Sequence, residues 1–269
     1  MATRLTGVVI RASDVKSLSE FWTNVLGADV VDGAHGVALR FDTARGPKTV
    51  RKNRVHLDLK GGPAQLARLL ELGAVRVDIG QGEVPWEVLA DPEGNEFCLQ
   101  PPTPADEPEA TSHGALNGST NGAANGHQRS ADGIGRGPGA GADVATHGDP
   151  AVGSDTVPGI GVRWTAVCQD AADPQAQSKF WTAALGFGWQ VGAEGDRGLA
   201  LRRADDARCP MLVLGPPVAA KDGPNRVYLR VTPNPGSHVA VETSRLVVEG
   251  AKRQGDLLID PEGNEFHVG

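Results

Sequence analysis

The chain has 269 residues, about twice a common single domain, and its 36 glycines and 19 prolines are too many for one continuously packed globule. The net charge of −7 is uneven: 12 basic against 13 acidic side chains over 1–100, 2 against 7 over 101–157, and 12 against 13 over 158–269. Two nearly neutral flanks exclude the electrostatic footprint of a nucleic-acid or membrane-surface binder, and no stretch approaches the roughly 18 apolar residues of a membrane span. No signal-peptide core follows the N-terminus, so a cytoplasmic protein is expected. Cys98, Cys168 and Cys209 are odd in number, widely spaced and without a C-x-x-C, which predicts reduced thiols.

In chain order, Val8, Ile10 and their neighbours read as a strand. Asp14 is placed as the N-cap of a helix whose apolar face is Leu18, Phe21, Trp22, Val25 and Leu26, and Gly27 ends it. A strand over 37–41 follows. Residues 54–59 alternate as a strand, 64–72 form a second amphipathic helix closed by Gly73, and strands over 86–89 and 96–99 are joined through the turn Asp91-Pro92-Glu93-Gly94. Residues 101–157 hold 11 glycines and no aromatic residue, which predicts a disordered acidic linker.

Beyond it the pattern recurs. Phe21-Trp22-Thr23 returns as Phe180-Trp181-Thr182, GVALR at 36–40 as GLALR at 198–202, Asn53-Arg54-Val55 as Asn225-Arg226-Val227, and DPEGNEF at 91–97 unchanged at 260–266. The offsets 159, 162, 172 and 169 keep the order while loop lengths differ, as a tandem duplication would. The jump from 162 to 172 coincides with Met211-Leu212-Val213-Leu214, read as an extra strand of the second copy. Each copy then has two βαβββ-like halves, and each flank is expected to pack its own core.

Those halves, with the helix signature FW..LG, the strand NRVHLDL at 53–59 and DPEGNEFCL at 91–99, resemble the vicinal oxygen chelate superfamily, among it glyoxalase-like and bleomycin-resistance-like proteins. The resemblance implies an α+β chain of two tandem domains, 1–100 and 158–269, whose paired βαβββ halves form curved mixed sheets around a cleft. Whether a cleft closes within a copy, between copies or in a homodimer is open at this level.

Alternation sorts the strands by face. Val55, Leu57, Leu59, Phe97 and Leu99 should pack under helices, leaving Arg54, His56, Asp58, Glu96 and Cys98 in the cleft. The second copy offers Arg226, Tyr228, Arg230, Glu265 and His267. Metal ligands carried over by the resemblance fall on Gly7, Leu39, Arg54 and Cys98, and on Ala166, Leu201, Arg226 and His267. Most have no donor, and an Arg repels a cation. No cofactor is therefore expected and a divalent metal is disfavoured, a shifted site at His56, Asp58, Glu96 and Cys98 being the exception. Recurrence of Arg54 as Arg226 and of Glu96 as Glu265 suggests a cross-strand ion pair within each copy.

Two functions follow from the same residues. In a metal-free lyase or isomerase, His56, Asp58 and Glu96 supply acid–base chemistry. In a binding protein that sequesters a drug or natural product, His56 only shapes the surface and Trp86 gives an aromatic wall. Either way the partner is a small molecule. The basic cluster at Arg45, Lys48, Arg51, Lys52 and Arg54, present in one copy, could attract an anion. Because His56 becomes Tyr228, Asp58 becomes Arg230 and Cys98 becomes His267, the first copy is expected to carry the ligand-specific cleft.

Overall fold

The computed structural model describes residues 2–103 and 158–269, apart from 45, 47, 50, 187, 195–197, 217, 218 and 222. The linker expectation for 101–157 therefore lies almost wholly outside the described residues. The first copy contributes β1 (Thr3–Ala12), α1 (Val15–Leu26), α2 (Ala28–Asp32), β2 (Ala38–Thr43), β3 (Val55–Lys60), α3 (Pro63–Glu71), β4 (Val75–Arg76), β5 (Glu87–Ala90) and β6 (Glu96–Gln100). The second contributes β7 (Arg163–Asp170), α4 (Pro174–Leu185), β8 (Trp189–Glu194), β9 (Gly198–Arg203), β10 (Met211–Gly215), β11 (Val227–Pro233), α5 (Val239–Val248), β12 (Lys252–Gln254), β13 (Leu257–Ile259) and β14 (Glu265–Val268).

Helix α1 starts at the cap that the sequence placed, and α4 starts at a matching one. Asp14 accepts the Ser17 N–H at 3.0 Å, and Asp173 accepts that of Ala176 at 2.9 Å, each satisfying one of the first-turn donors that have no partner within the helix. Leu18, Phe21, Trp22, Val25 and Leu26 are buried along one face of α1. Gly27 ends it at φ 91°, a conformation that an L side chain rarely adopts.

Strand pairing decides what the sequence left open. A six-stranded sheet runs β12-β13-β14-β11-β1-β2, and an eight-stranded sheet runs β4-β5-β6-β3-β7-β10-β9-β8. Both central seams, β1 with β11 and β3 with β7, are antiparallel and join one copy to the other. Each sheet is thus half first copy and half second. The seams are equivalent in detail: a bulge at Thr6 lets its hydroxyl reach the Arg230 carbonyl at 3.5 Å, and a bulge at Thr165 lets its hydroxyl donate to the Asp58 carbonyl at 3.1 Å.

The aromatic contacts of the two long helices stay within a copy, although α4 also lies against β1, where the Thr3 hydroxyl donates to the Ala184 carbonyl at 2.8 Å. Trp22 of α1 meets Phe97 of β6 edge-on at 5.2 Å between ring centroids, and Trp181 of α4 meets Phe266 of β14 at the same separation. Each helix therefore ties its own half to the sheet that holds the other half of its copy. One hydrophobic core results, with residues of both copies, in place of the separate cores expected for the flanks.

One repeat match is corrected by the register. Gly7 pairs with Ala38 across the parallel β1–β2 ladder, and Ala166 pairs with Met211 across the parallel β7–β10 ladder. The place of β2 is therefore taken by β10, not by β9 with its GLALR run. The first copy lacks counterparts of β8 and β9, because only the stretch from Gly27 to Val37, with the single turn α2, lies between α1 and β2. Three halves are βαβββ and the first is reduced. Leu39 and Leu201 both point into the core rather than into a cleft.

Candidate functional site

The repeated DPEGNEF is scaffold. Asp91 accepts the Glu93 and Asn95 amides at 2.9 Å each, and Asp260 accepts those of Glu262 and Asn264 at 3.0 and 2.9 Å. Trp22 donates to Asp91 at 3.2 Å, and Gln169 donates to Asp260 at 2.9 Å. Burial raises both carboxyls, that of Asp260 to about 6. The Glu93 carboxylate takes the Ser13 and Asp14 amides at the entry of α1, as that of Glu262 takes the Asp173 amide at α4.

The ion pair expected within each copy does not form. Glu96 is held by Lys48 at 2.7 Å and by the Asn53 amide, and Glu265 by Lys221 and the Asn225 amide. The arginines cross to the other copy: Arg54 donates to the Glu262 carbonyl at 2.9 Å with its carboxylate at 3.9 Å, and Arg226 pairs with Glu93. Each glutamate stands on the strand next to its arginine's but is already taken by a lysine, and the guanidinium reaches the other sheet instead. Lys52, from the basic loop, pairs with Asp170 at 2.6 Å.

Two concave faces remain for function, and each draws side chains from both copies. Over the six-stranded sheet lies a cavity of about 1000 Å³, between the connection that follows β2, the connection that precedes β11, and the β12–β13 turn. Six Lys or Arg side chains line it, against Asp256 and Glu265. Lys48, Lys52, Arg54 and Arg226 have the carboxylate partners given above, and Arg51 is also engaged. Arg11 differs. It forms no ion pair among the described residues, donates to the Asn225 carbonyl at 3.0 Å, and lies 4.7 Å from the centre of the Tyr228 ring. Tyr228 donates to Asp42 at 2.6 Å, and burial with that carboxylate pushes the phenol up to about 12. His267 lines the same cavity, its pKa lowered by burial and by Arg230.

Of the residues chosen from sequence, the cavity gathers Arg54, Arg226, Tyr228, Glu265 and His267. Arg230 is outside its lining, beside Gly7, and donates to the Gly269 carbonyl at 2.9 Å. Arg11 was missed, although alternation with Val8 and Ile10 puts it on the cleft face of the first strand.

His56, Asp58 and Cys98 belong to the other face, over the eight-stranded sheet. His56 Nε2 lies 3.6 Å from Asp58 Oδ1, and burial with nearby Lys52 lowers the imidazole pKa to about 3. Burial raises the thiols of Cys98 and Cys168. Cys168 stands opposite His56 in the β3–β7 ladder, and Asp58 stands opposite Cys98 in the β3–β6 ladder. Trp86 precedes β5; its buried Nε1 has no hydrogen-bond partner and it does not line the cavity. Glu96 is apart from this group, tied to Lys48.

The divalent metal that the resemblance implies needs several donors at one point. On the six-stranded face the places matching those of the other face are Gly7, Val9, Tyr228, Arg230 and His267; Asp42 is taken by the Tyr228 hydroxyl and Glu265 by Lys221, and the His267 imidazole beside Arg230 does not fit a cation. On the eight-stranded face the ligand atoms of His56, Asp58 and Cys98 all lie within 4.8 Å of one another, a donor set that fits.

Paired βαβββ halves, parallel ladders inside each half, antiparallel seams between copies and two concave faces together define a vicinal oxygen chelate fold. The chain belongs to the glyoxalase-like domain family, which matches residues 7–100 and 166–269. Glyoxalase I from Zea mays has a similar fold, with a TM-score of 0.51 at 13% identity over 99% of this chain and 92% of that one. A putative dioxygenase from Bacillus subtilis is similar to the same degree, with a TM-score of 0.51 at 10% identity over 99% of this chain and 85% of the other. No curated protein matches the sequence.

Proposed function

We propose that this glyoxalase-like protein binds a small organic anion on its six-stranded face and sequesters it without chemistry, in the manner of a bleomycin-resistance-like binder. The observation that carries this reading is Arg11, a cation without a carboxylate partner among the described residues, in a cavity of about 1000 Å³. That volume is at the upper end of small-molecule pockets. Tyr228 and His267 supply an aromatic wall and polar groups beside it. The reading as a metal-free lyase or isomerase has less support, since His56 is a weak base at a pKa of about 3, Glu96 is tied to Lys48, and neither lines the cavity. Among the described residues no helix is long and apolar enough to cross a membrane, and all three cysteines are free, which suits a reducing cytoplasm.

The test is a thermal-stabilisation screen of aromatic and aliphatic carboxylates and phosphates against their amides, alcohols and amines. Anions alone should raise Tm, and a ligand at 100 times its Kd should add about 2.7 kcal/mol. Arg11→Ala should weaken the best anion at least tenfold, whereas His56→Ala should leave its affinity unchanged. Equal stabilisation by neutral analogues, or an Arg11→Ala protein that binds as tightly as the parent, would overturn the reading.

A further inference from the structure

The six-stranded sheet ends on β2, and at that edge the two sheets differ. In the eight-stranded sheet the corresponding strand, β10, is covered by β9 in antiparallel pairing; the first copy has no strand to do the same, and among the described residues no further strand pairs with β2. We propose that the β2 edge binds the β2 edge of a second molecule of this chain, antiparallel and centred on Phe41, so that two six-stranded sheets join into one.

The backbone is directed for such a contact. Ala44 donates to the Ala12 carbonyl at 2.7 Å, and the β1–β2 register runs without a break from Gly7 opposite Ala38 to Ala12 opposite Thr43. Alternation therefore turns the amides and carbonyls of Ala38, Arg40 and Asp42 toward β1 and those of Leu39, Phe41 and Thr43 toward the open edge. The other side of β1 obeys the same alternation, since the Arg11 amide donates to the Arg226 carbonyl beside β11. An open row of amides and carbonyls is a template for another strand.

Side chains select the partner and the register. Residues directly opposed in an antiparallel pair share a face, so β2 can meet its own equivalent only with a residue on the twofold axis and not with the axis between two residues. An axis at Arg40 or at Asp42 sets like charges opposite one another. An axis at Phe41 pairs residues 39 to 43, with Phe41 opposite Phe41, Leu39 opposite Thr43, and Arg40 opposite Asp42 twice. Arg40 is exposed and forms no ion pair among the described residues, and Phe41 is only half buried against the core. Asp42 is exposed too; Tyr228 donates to one of its oxygens, and no described residue donates to the other. In this register Phe41 and its equivalent exchange both backbone hydrogen bonds, and Arg40 and Asp42 fall at the closer positions, with Cα atoms about 4.5 Å apart.

An edge that needed only protection from stray strands is served by charges of one sign, which repel in every register. The order Arg40-Phe41-Asp42 repels in the neighbouring registers and attracts in one, as a specified contact would. The pairing that unites the repeats does not compete, because both seams are complete within one chain. One shared edge buries less than the roughly 1,200 Å² of a standard interface, so the dimer is weak and concentration-dependent.

The experiment is sedimentation velocity of the full chain from about 1 µM to about 1 mM at low salt. A monomer–dimer equilibrium is expected, with a midpoint on the order of 100 µM that rises with salt. Arg40→Asp and Asp42→Arg, each with unchanged circular dichroism, should weaken self-association at least tenfold, because each sets like charges opposite. An equimolar mixture of the two should associate about as well as the parent, since the mixed pair restores opposite charges at both places. Under mild oxidation Phe41→Cys should give a covalent dimer, Cα atoms about 5.5 Å apart being suited to a disulfide. Thr43→Cys, about 14 Å from its equivalent, should not. Amide exchange over 38–44 should be fast in dilute protein and slow as dimer forms. A monomer at every concentration, a dimer indifferent to both charge reversals, or cross-linking at Thr43 in place of Phe41 would each overturn the proposal. Slow exchange over 38–44 in the dilute monomer would also overturn it, by showing that the chain covers this edge itself.

Discussion

The two concave faces stand on matched scaffolding and have opposite contents. On one, His56, Asp58, Cys98 and Cys168 face inward; at the corresponding places on the other are Tyr228, Arg230, His267 and Val9. Around them little has changed: Glu96 and Glu265 each hold a lysine and an asparagine amide, Arg54 and Arg226 each reach a glutamate of the other copy, and Thr6 and Thr165 form the same bulge. The eight-stranded face has its full complement of strands, whereas the six-stranded face lacks two and carries the large cavity. Duplication here has preserved what fixes strands and released what faces a ligand. The divergence is between faces and not between copies, so the expectation of a ligand cleft owned by the first copy gives way to two faces owned jointly.

The most drastic way to break this picture is to separate the copies. Residues 158–269 produced alone should give no folded monomer, because β7 and β11 both lose their central partners, while co-production with residues 1–103 should restore a one-to-one complex. Size-exclusion chromatography with circular dichroism checks it, and a monomeric fragment with cooperative unfolding would refute joint ownership.

Smaller effects sharpen the comparison. The Lys48–Glu96 pair is nearly buried on both sides, at 10% and 9% exposure, whereas Lys221 is 31% exposed beside Glu265. Lys48→Met should therefore cost about 3–5 kcal/mol and Lys221→Met clearly less, since the place vacated by Lys221 is open to solvent that can reach Glu265, whereas that of Lys48 is nearly closed. Denaturant midpoints at neutral pH read the difference, and equal losses would mean that the two braces are energetically the same.

A third expectation concerns pH. The folded pKa of Asp260, about 6, is above its ordinary value of 3.8, so between these values the folded state holds a proton that the unfolded state has lost. Its contribution to stability is complete below pH 3.8 and declines as pH rises through 6, by about 3 kcal/mol at full extent. Asp260→Asn removes that decline: the stability gained between pH 4 and pH 7 should be larger in the variant than in the parent by about that amount. Identical pH profiles would show that the hydrogen bonds to Asp260 outweigh its burial.

Much of this was legible in the sequence. The helix cap at Asp14, the burial of Val55, Leu57 and Leu59, and the turn at 91–94 follow from local rules that act within a few residues. The seam did not, since nothing local says whether β3 prefers β7 or β1. GVALR and GLALR misled because a half-buried strand repeats the same apolar alternation wherever it stands, and only hydrogen-bond register shows that β2 matches β10. The site followed the same division. Face assignments for His56, Asp58, Tyr228 and His267 came from strand periodicity, but the conjunction of Cys168 with His56, and of Arg11 with Tyr228, depends on which copies pair.

That crossed seam also sets an order of events at the ribosome. Thr3 at the start of β1 pairs with Pro233 at the end of β11. At elongation rates of about 5–20 residues per second, the first strand made must wait on the order of ten to forty seconds for the strand that completes its ladder. Throughout that interval one edge of β1 is open to pairing with whatever extended chain is near, a neighbouring nascent copy included. Contacts so distant in sequence also slow the search that follows release. Yield of soluble protein should accordingly depend more on how quickly the second copy is translated than on the first.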